Sequence, residues 1–155
     1  MEKRVSDSYT EQVQVLMQGN MNGYQRLFGG KLMEWIDIVA AVVARRHSEC
    51  NVTTAVVDAL QFQGPAYANE TLLMAGKITY VGRTSMEVCV RTYVEELHGE
   101  RRLINTAYVV MVALDEQERP TEVPRLLLET EEEKQEWLAA QQRNILRKQR
   151  KERNI

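Results

Sequence analysis

The 155-residue sequence lacks the features that mark several large classes of protein. It has no run of eighteen or more apolar residues, which a membrane-spanning helix needs, and its charged N-terminus has no apolar core of a signal peptide. Its formal net charge of −2 gives no overall attraction to nucleic acid. We therefore expect a cytoplasmic protein with no nucleic-acid partner and no membrane partner.

Cysteine is scarce, which argues against a metal centre. Neither Cys50 nor Cys89 has a C-x-x-C partner or a nearby histidine in a pattern that suggests metal, so we expect two reduced thiols rather than metal ligands. The G-x-S-x-G pattern is also absent, and a serine nucleophile on an α/β-hydrolase fold is therefore unsupported. The length fits one domain, and the 44% hydrophobic and 27% charged residues are typical of a soluble globular protein.

The apolar residues between positions 27 and 47 predict a helix that is buried on most sides. A glycine pair, Gly29-Gly30, stands near its start, and one carboxylate, Asp37, lies inside it. Because burying an unpaired charge is costly, Asp37 is expected to be paired, locally solvated or used in chemistry. His47 follows two arginines at the helix end, where the helix dipole favours a cation, and is interpreted as a cap.

Alternating apolar and polar residues predict strands around this helix. Between 85 and 96, Val88 and Val90 share one face while Glu87, Cys89 and Arg91 share the other, which predicts that one side of the sheet is wet. An antiparallel sheet that curls around one long buried helix is an α+β fold. The predicted strands cover residues 9–17, 53–62, 71–81, 85–96 and 102–114.

The chain changes character beyond Pro124. Thr130 and Glu133 form a capping-box pattern, which predicts a helix that is acidic at its start and basic at its end. The basic end either binds the phosphates of a ligand or anionic partner, or is a solvated face that complements the helix dipole. The apolar residues expected to dock this helix loosely are Trp137, Leu138, Ile145 and Leu146, and its basic residues are Arg143, Arg147, Lys148, Arg150, Lys151 and Arg153.

Three segments carry a resemblance to a known family. They are the stretch from Asn22 to Asp37, the segment from Val57 to Phe62 together with Pro65, and Gly82-Arg83-Thr84-Ser85. Through them, over residues 13–124, the chain resembles the bacterial single-domain acyl-CoA thioesterases of the hotdog fold. That family is related to the cytosolic acyl-CoA hydrolases that carry two hotdog domains in tandem.

The resemblance has two visible departures, and it also predicts the architecture. Gln25 stands where the family usually has glycine, and Ala68-Asn69-Glu70 replaces the usual Gly-Asp turn. The implied fold is a hotdog, an antiparallel sheet wrapped around a long central helix. We expect the hotdog domain to cover residues 9–126, and residues 127–155 to form a charged helical tail.

The family's catalytic residues match positions in the first segment. The resemblance implies that Asp37 is the catalytic acid, acting as general base on water or as a nucleophile, and that the Asn22 amide positions the water or the thioester carbonyl. Backbone N–H groups at Gly29 and Gly30 are expected to hold the oxyanion, since a helix N-terminus favours negative charge. The plain alternatives are a structural partner for Asp37, a turn residue at Asn22 and a tight turn at the glycines.

The third segment, from Gly82 to Ser85, is explained most simply as a hairpin turn. In the family this region lines the coenzyme A groove. The resemblance therefore implies that Thr84 and Ser85 hold the pantetheine arm, that Arg83 holds a phosphate, and that Gly82 belongs to the same substrate-binding region.

Together these matches predict an enzyme that hydrolyses acyl-CoA to a free carboxylic acid and coenzyme A. No metal and no cofactor are expected, because coenzyme A is part of the substrate and the product. The resemblance also implies a homodimer with Asn22 of one subunit facing Asp37 of the other, and three such dimers in a hexamer. The alternative function is a hotdog domain that binds acyl-CoA, for example in regulation, without hydrolysing it.

Overall fold

The fold is an antiparallel sheet that curls around one long helix. The computed structural model describes residues 1–153, with Ala59 described by its backbone alone. In chain order the elements are β1 (Glu2–Arg4), α1 (Val5–Ser8), β2 (Thr10–Val15), α2 (Gly29–Ser48), β3 (Asn51–Phe62), β4 (Thr71–Val81), β5 (Ser85–Glu95), β6 (Arg101–Leu114), β7 (Arg125–Leu127) and α3 (Glu131–Arg153).

The main sheet has the strand order β2-β4-β5-β6-β3, and all of its neighbouring strands are antiparallel. Helix α2 precedes β3, packs against every strand of this sheet and is covered by its concave face. Strands β2 and β3 form the two edges of the sheet. A separate pair, β1 and β7, runs parallel and ties the N-terminus to the segment before α3.

The prediction of an α+β hotdog fold is confirmed. The predicted strands and the central helix agree with the observed elements to within a few residues. Strands β1 and β7 and helix α1 were not predicted, because segments of three or four residues have too few positions to show a periodicity.

The sequence prediction for the two faces of β5 is correct for one face and wrong for part of the other. Val88 and Val90 are buried against the core as expected. On the opposite face Glu87 and Cys89 are also buried, because α3 lies across that side of the sheet. Burial raises the pKa of the Cys89 thiol, which disfavours its reactive thiolate form.

A cluster of charged groups holds α3 against the sheet. Arg143 donates two hydrogen bonds to the buried Glu87 carboxylate, at 3.0 Å from Nε and 2.8 Å from Nη2. Arg147 lies 3.0 Å from the same carboxylate and 3.2 Å from Asp58. The Arg143 guanidinium also stacks 3.7 Å from the centre of the Tyr108 ring. Buried carboxylates require such partners, and here the helix supplies them.

The contacts of α3 differ from the docking that was predicted for it. Among the expected apolar anchors only Trp137 packs closely, with its ring centre 4.4 Å from that of Tyr80, while Leu138, Ile145 and Leu146 are exposed. Arg143, Arg147 and Arg150 are engaged with Glu87 and Asp58. Of the six basic residues, these three therefore pair with carboxylates of the sheet, which neither alternative from the sequence, phosphate binding or a solvated face, had included.

We predict that Arg143→Ala lowers the free energy of unfolding by about 2–3 kcal/mol, because the buried Glu87 loses a bidentate charged partner. Lys148→Ala is the matched control, since Lys148 is an exposed cation on the same helix. Its effect is expected to stay within about 0.5 kcal/mol. Denaturant unfolding measures both changes. Equal effects of the two variants would show that the Glu87 contact does not hold α3.

The interpretation of His47 as a cap for the end of α2 is wrong. Its side chain is fully buried, and its Nε2 lies 2.8 Å from the carbonyl oxygen of Pro124, to which it donates when it carries the proton. No described residue hydrogen bonds to its Nδ1. Burial, together with the charges of Lys3 and Arg125, lowers the pKa of the imidazole below its usual value.

This burial predicts a pH-dependent stability. As the pH falls below about 6.5, histidine in the unfolded chain takes up a proton while His47 in the folded chain resists it, so acid favours unfolding. The free energy of unfolding is expected to fall by at most about 1.4 kcal/mol per pH unit from this one group. His47→Gln, which keeps a donor for Pro124, should flatten the profile between pH 7 and 5. An identical slope in both proteins, measured by denaturant titration, contradicts the assignment.

Candidate active site

Asn22 lies in the loop between β2 and α2, and the structure fixes the orientation of its amide. Its Oδ1 accepts hydrogen bonds from the backbone N–H groups of Tyr24, at 2.9 Å, and Arg26, at 3.2 Å. Within residues 1–153 its NH₂ group has no partner. The turn role considered for Asn22 is therefore real. It uses only the oxygen, so the two N–H donors stay available to a ligand.

The same loop explains the departure at Gln25. Its φ is +60°, which lies in the left-handed region that glycine adopts without steric cost. A glycine at this position in the family is therefore favoured by the backbone conformation. In this chain the Gln18 amide donates a hydrogen bond to Gln25 Oε1, which helps to hold the glutamine in place.

The N-terminus of α2 presents unused backbone donors. The N–H groups of Lys31 and Leu32 bond to the carbonyl of Phe28, at 3.0 and 3.1 Å. Those of Gly29 and Gly30 have no partner in the described part of the chain. The first turn also contains no acidic side chain. A helix start of this kind attracts an anion or a carbonyl oxygen.

Gly30 has a steric reason to be glycine. A Cβ built there would lie 2.8 Å from the Phe28 ring, so a larger residue would have to displace that ring. At Gly29 a Cβ would meet Phe62 at 3.5 Å, an ordinary contact. Gly30 therefore permits the close packing of the loop on the helix start.

Asp37 is half-buried in the middle of α2, and its carboxylate has one partner. Thr54 in β3 donates a hydrogen bond from Oγ1 to Asp37 Oδ1 at 2.6 Å. Among the described residues no cation pairs with Asp37 and nothing donates to Oδ2. Part of the structural role that was considered for Asp37 is thus present, while one oxygen stays available for chemistry.

Thr54 was not identified from the sequence. It lies seventeen positions from Asp37 on a different element, so only the tertiary fold brings the two together. The available signal was weak: threonine is common in strands, and nothing in the pattern of β3 distinguishes this position.

The hairpin from Gly82 to Ser85 is held by its backbone. The carbonyl groups of Gly82, Arg83 and Thr84 accept hydrogen bonds from Arg125 Nη2 at 2.6 Å, the Val123 N–H at 2.9 Å and the Ala113 N–H at 3.0 Å. The side chain of Arg83 is exposed, and no described group pairs with it. The hairpin explanation is therefore correct for the backbone, whereas the Arg83 guanidinium remains free for an anion.

One chain does not bring all the candidate residues together. Gly30 and Asp37 are seven residues apart, which is about 10 Å along a helix. Ser85 pairs with Val112, and Val112 pairs with Thr53 beside Thr54. The hairpin is thus about 10 Å, or two strand spacings, from β3, the strand whose Thr54 donates a hydrogen bond to Asp37. A single chain therefore leaves Asp37 apart from the glycine pair, and leaves the strand of its partner Thr54 apart from the hairpin.

A buried helix enclosed by an antiparallel sheet defines the hotdog class, and comparisons with known proteins identify the family. The thioesterase superfamily matches residues 24–99. An uncharacterized acyl-CoA thioester hydrolase of Bacillus subtilis is 41% identical over 131 residues, covering 84% of this chain and 76% of that protein. The chain belongs to the hotdog-fold acyl-CoA thioester hydrolases of the thioesterase superfamily.

Two solved structures match nearly the whole chain. The acyl-CoA hydrolase of Staphylococcus aureus, in complex with butyryl coenzyme A, coenzyme A and coenzyme A disulfide, is 31% identical with a TM-score of 0.93. The match covers 97% of this chain and 93% of that one. An apo hexameric acyl-CoA thioesterase is 37% identical with a TM-score of 0.92, and the match covers 96% of each chain.

Structures are also known for alanine variants of the S. aureus enzyme at an asparagine, an aspartate and a threonine. In that protein the aspartate follows the asparagine by 15 positions, and the threonine follows the aspartate by 17. Asn22, Asp37 and Thr54 are separated by the same two intervals.

Two further findings concern membrane helices and the two cysteines. Within residues 1–153 no helix is both long enough and apolar enough to cross a membrane. Cys50 and Cys89 are both free thiols. The cytoplasmic location and the domain boundaries at residues 126 and 127 stay predictions.

Proposed function

We propose that this acyl-CoA thioester hydrolase uses the carboxylate of Asp37 to split its substrate into a free carboxylic acid and coenzyme A. The observation that carries the proposal is the hydrogen bond from Thr54 to Asp37 Oδ1, which fixes the carboxylate while Oδ2 stays free. A fixed acid with one open oxygen is what a general base or a nucleophile needs. The matching intervals in the S. aureus enzyme support the assignment of Asn22, Asp37 and Thr54.

The reaction follows from these groups by one of two routes. As general base, Oδ2 takes a proton from water, the water oxygen bonds to the thioester carbon, and the C–S bond then breaks to release the coenzyme A thiolate, which takes up the proton. As nucleophile, Oδ2 itself bonds to the carbon, the thiolate leaves, and water cleaves the resulting anhydride. A single turnover in ¹⁸O-labelled water distinguishes them, because only the anhydride route can leave label in the Asp37 carboxylate.

Both routes place negative charge on the thioester oxygen. The N-terminal end of the stretch from Asn22 to Asp37 offers hydrogen-bond donors for it. The free NH₂ of Asn22 and the free N–H groups of Gly29 and Gly30 are suited to this oxygen. Because this end lies about 10 Å from Asp37 along α2, we propose that the donors and the acid of one active site come from two subunits.

Exposed apolar groups around α2 support an assembly. Two edge strands and several large apolar side chains near the motif are open in the single chain, and a second copy would cover them. These side chains are Phe28, Met33, Ile38, Val57 and Phe62. We propose a homodimer with interfacial sites, and a trimer of such dimers, in line with the hexameric thioesterases that this chain resembles.

The hairpin from Gly82 to Ser85 is proposed to bind the coenzyme A part of the substrate. The S. aureus enzyme was solved with coenzyme A bound, and the free Arg83 guanidinium suits a phosphate. Thr84 and Ser85 offer hydroxyl groups to the pantetheine arm. No further cofactor is required by the proposed reaction.

The role of Asp37 is tested by Asp37→Asn and by Thr54→Val, each assayed on a panel of acyl-CoA esters. Asp37→Asn is expected to lower kcat by about 10²- to 10⁴-fold, since the amide cannot take the proton. Thr54→Val removes one hydrogen bond to a charged group without changing shape and is expected to lower kcat about tenfold with little change in KM.

The control for these variants is Thr53→Val, a similar change at the neighbouring exposed position of β3. Full activity of Asp37→Asn would refute the catalytic role. A wild-type protein that binds acyl-CoA esters but hydrolyses none of them would favour the alternative, a non-catalytic acyl-CoA-binding domain.

The shared active site is tested by mixing two inactive variants, Asn22→Ala and Asp37→Ala. In a mixed dimer one site receives both intact residues and the other receives neither. Random exchange of subunits should therefore restore about a quarter of the wild-type activity. Differently tagged subunits verify the exchange. If exchange is complete and no activity returns, Asn22 and Asp37 act within one chain. A stable, active monomer at assay concentration would also contradict the dimer.

A further inference from the structure

The hairpin from Gly82 to Ser85 is held by the segment that connects β6 to β7. The Gly82 carbonyl accepts a hydrogen bond from Arg125 Nη2 at 2.6 Å, and the Arg83 carbonyl accepts one from the Val123 N–H at 2.9 Å. Arg125 Nη2 also donates to the Val123 carbonyl at 2.9 Å and lies 3.5 Å from that of Arg83. One side-chain nitrogen thus joins the hairpin to the segment beside it.

The segment that carries Arg125 is itself anchored on its other side. The Arg125 N–H donates to the Met1 carbonyl at 2.9 Å, where β1 and β7 run parallel. His47 Nε2, in the last turn of α2, lies 2.8 Å from the carbonyl oxygen of Pro124. Val123 is only 5% exposed. Residues 123–125 are therefore a fixed support, and the Arg125 side chain fixes the hairpin to it.

The hydrogen-bonded carbonyl groups determine where the N–H groups of the hairpin point. The peptide units here are trans, and in a trans unit the C=O of one residue and the N–H of the next point in opposite directions. Because the Gly82 carbonyl points towards Arg125, the N–H of Arg83 points away from it. By the same geometry, the N–H of Thr84 points away from Val123.

These two N–H groups are free for a ligand. In the described part of the chain, neither the Arg83 N–H nor the Thr84 N–H has a hydrogen-bond partner. The exposed Arg83 guanidinium and the Thr84 hydroxyl belong to the same two residues. Successive free N–H groups beside a cation suit the phosphate or amide oxygens of a ligand, provided that the backbone is held in this orientation.

We infer that Arg125 is a positioning residue for the substrate: its side chain holds the hairpin so that the N–H groups of Arg83 and Thr84 face coenzyme A. The inference rests on the proposed function, which assigns the coenzyme A part to this hairpin. Arg125 lies 43 positions from Gly82 and belongs to none of the three segments that carry the family resemblance. It acts through the hairpin backbone and not on the reacting atoms.

The test compares two thioesters of the same acyl group, an acyl-CoA and an acyl-N-acetylcysteamine, which lacks the nucleotide and all phosphates. For the acyl-CoA, Arg125→Ala is expected to raise KM about tenfold, the effect of losing one hydrogen bond from a charged donor, and to keep kcat within about twofold. For the short thioester, kcat/KM should stay within about twofold of the wild type, because that substrate does not reach the hairpin.

Arg119→Ala is the matched control. Arg119 is an exposed arginine in the same connection between β6 and β7, and no described group pairs with its side chain. The variant removes the same charge without touching the hairpin. Its kinetic constants for both thioesters should equal those of the wild type.

The outcomes separate the inference from the proposed function. If the wild type hydrolyses no acyl-CoA ester, the proposed function fails. If Arg83→Ala leaves KM for acyl-CoA unchanged, the assignment of coenzyme A to the hairpin fails. If Arg83→Ala raises that KM and Arg125→Ala does not, the inference alone is overturned. Equal losses of Arg125→Ala on both thioesters would show a general structural role and would overturn it as well.

Hydrogen exchange without substrate, followed by mass spectrometry, tests the positioning directly. The N–H groups of Gly82 and Val123 donate to carbonyl groups of the hairpin, Ser85 and Arg83 respectively, so their exchange reports how firmly it is held. Both should exchange faster in Arg125→Ala and at the wild-type rate in Arg119→Ala. Unchanged exchange in Arg125→Ala together with a raised KM would indicate direct contact with coenzyme A and would overturn the positioning role.

Discussion

Helix α2 packs directly against the backbone of Gly76 in β4, and the position of the helix depends on this contact. A Cβ at Gly76 would lie 2.8 Å from Val39 Cγ1 and 3.0 Å from Val43 Cγ2. Interiors are packed too densely to absorb such an overlap without movement. Because α2 carries both the glycine pair and Asp37, its distance from the sheet also fixes where the donors and the acid stand. The hydrogen bond between Asp37 and Thr54 forms only while α2 stays packed against the sheet.

The elements that were predicted correctly from the sequence have strong local signals. The strand prediction for 71–81 coincides with β4, and the prediction for 85–96 differs from β5 by one residue. The segment 85–96 alternates over many residues, and the segment 71–81 ends at a glycine. The candidate residues from Asn22 to Asp37 were located because a carboxylate in an apolar helix is unusual and because the surrounding motif resembles a known family.

The features that the sequence did not reveal depend on contacts between distant segments. Thr54 became recognisable only when β3 was placed beside α2. Glu87 was predicted to face water because its strand alternates, and only the docking of α3, 56 residues away at Arg143, covers it. His47 was misjudged for the same reason: the segment around Pro124 covers the end of α2 and removes it from solvent. Local periodicity reports which residues share a face, but not what lies on that face.

Gly30 and Asp37 are seven positions apart on α2, so the helix itself fixes the distance between the candidate donors and the acid. A helix advances 1.5 Å and turns about 100° with each residue. One residue inserted between these two positions would move Asp37 along the helix axis relative to Gly30 and rotate it about 100° around that axis. One residue added to the loop before Gly29 would leave the spacing of Gly30 and Asp37 unchanged. The distance from the glycine pair to the acid is therefore set by the first two turns of the helix and by nothing in the loop before it.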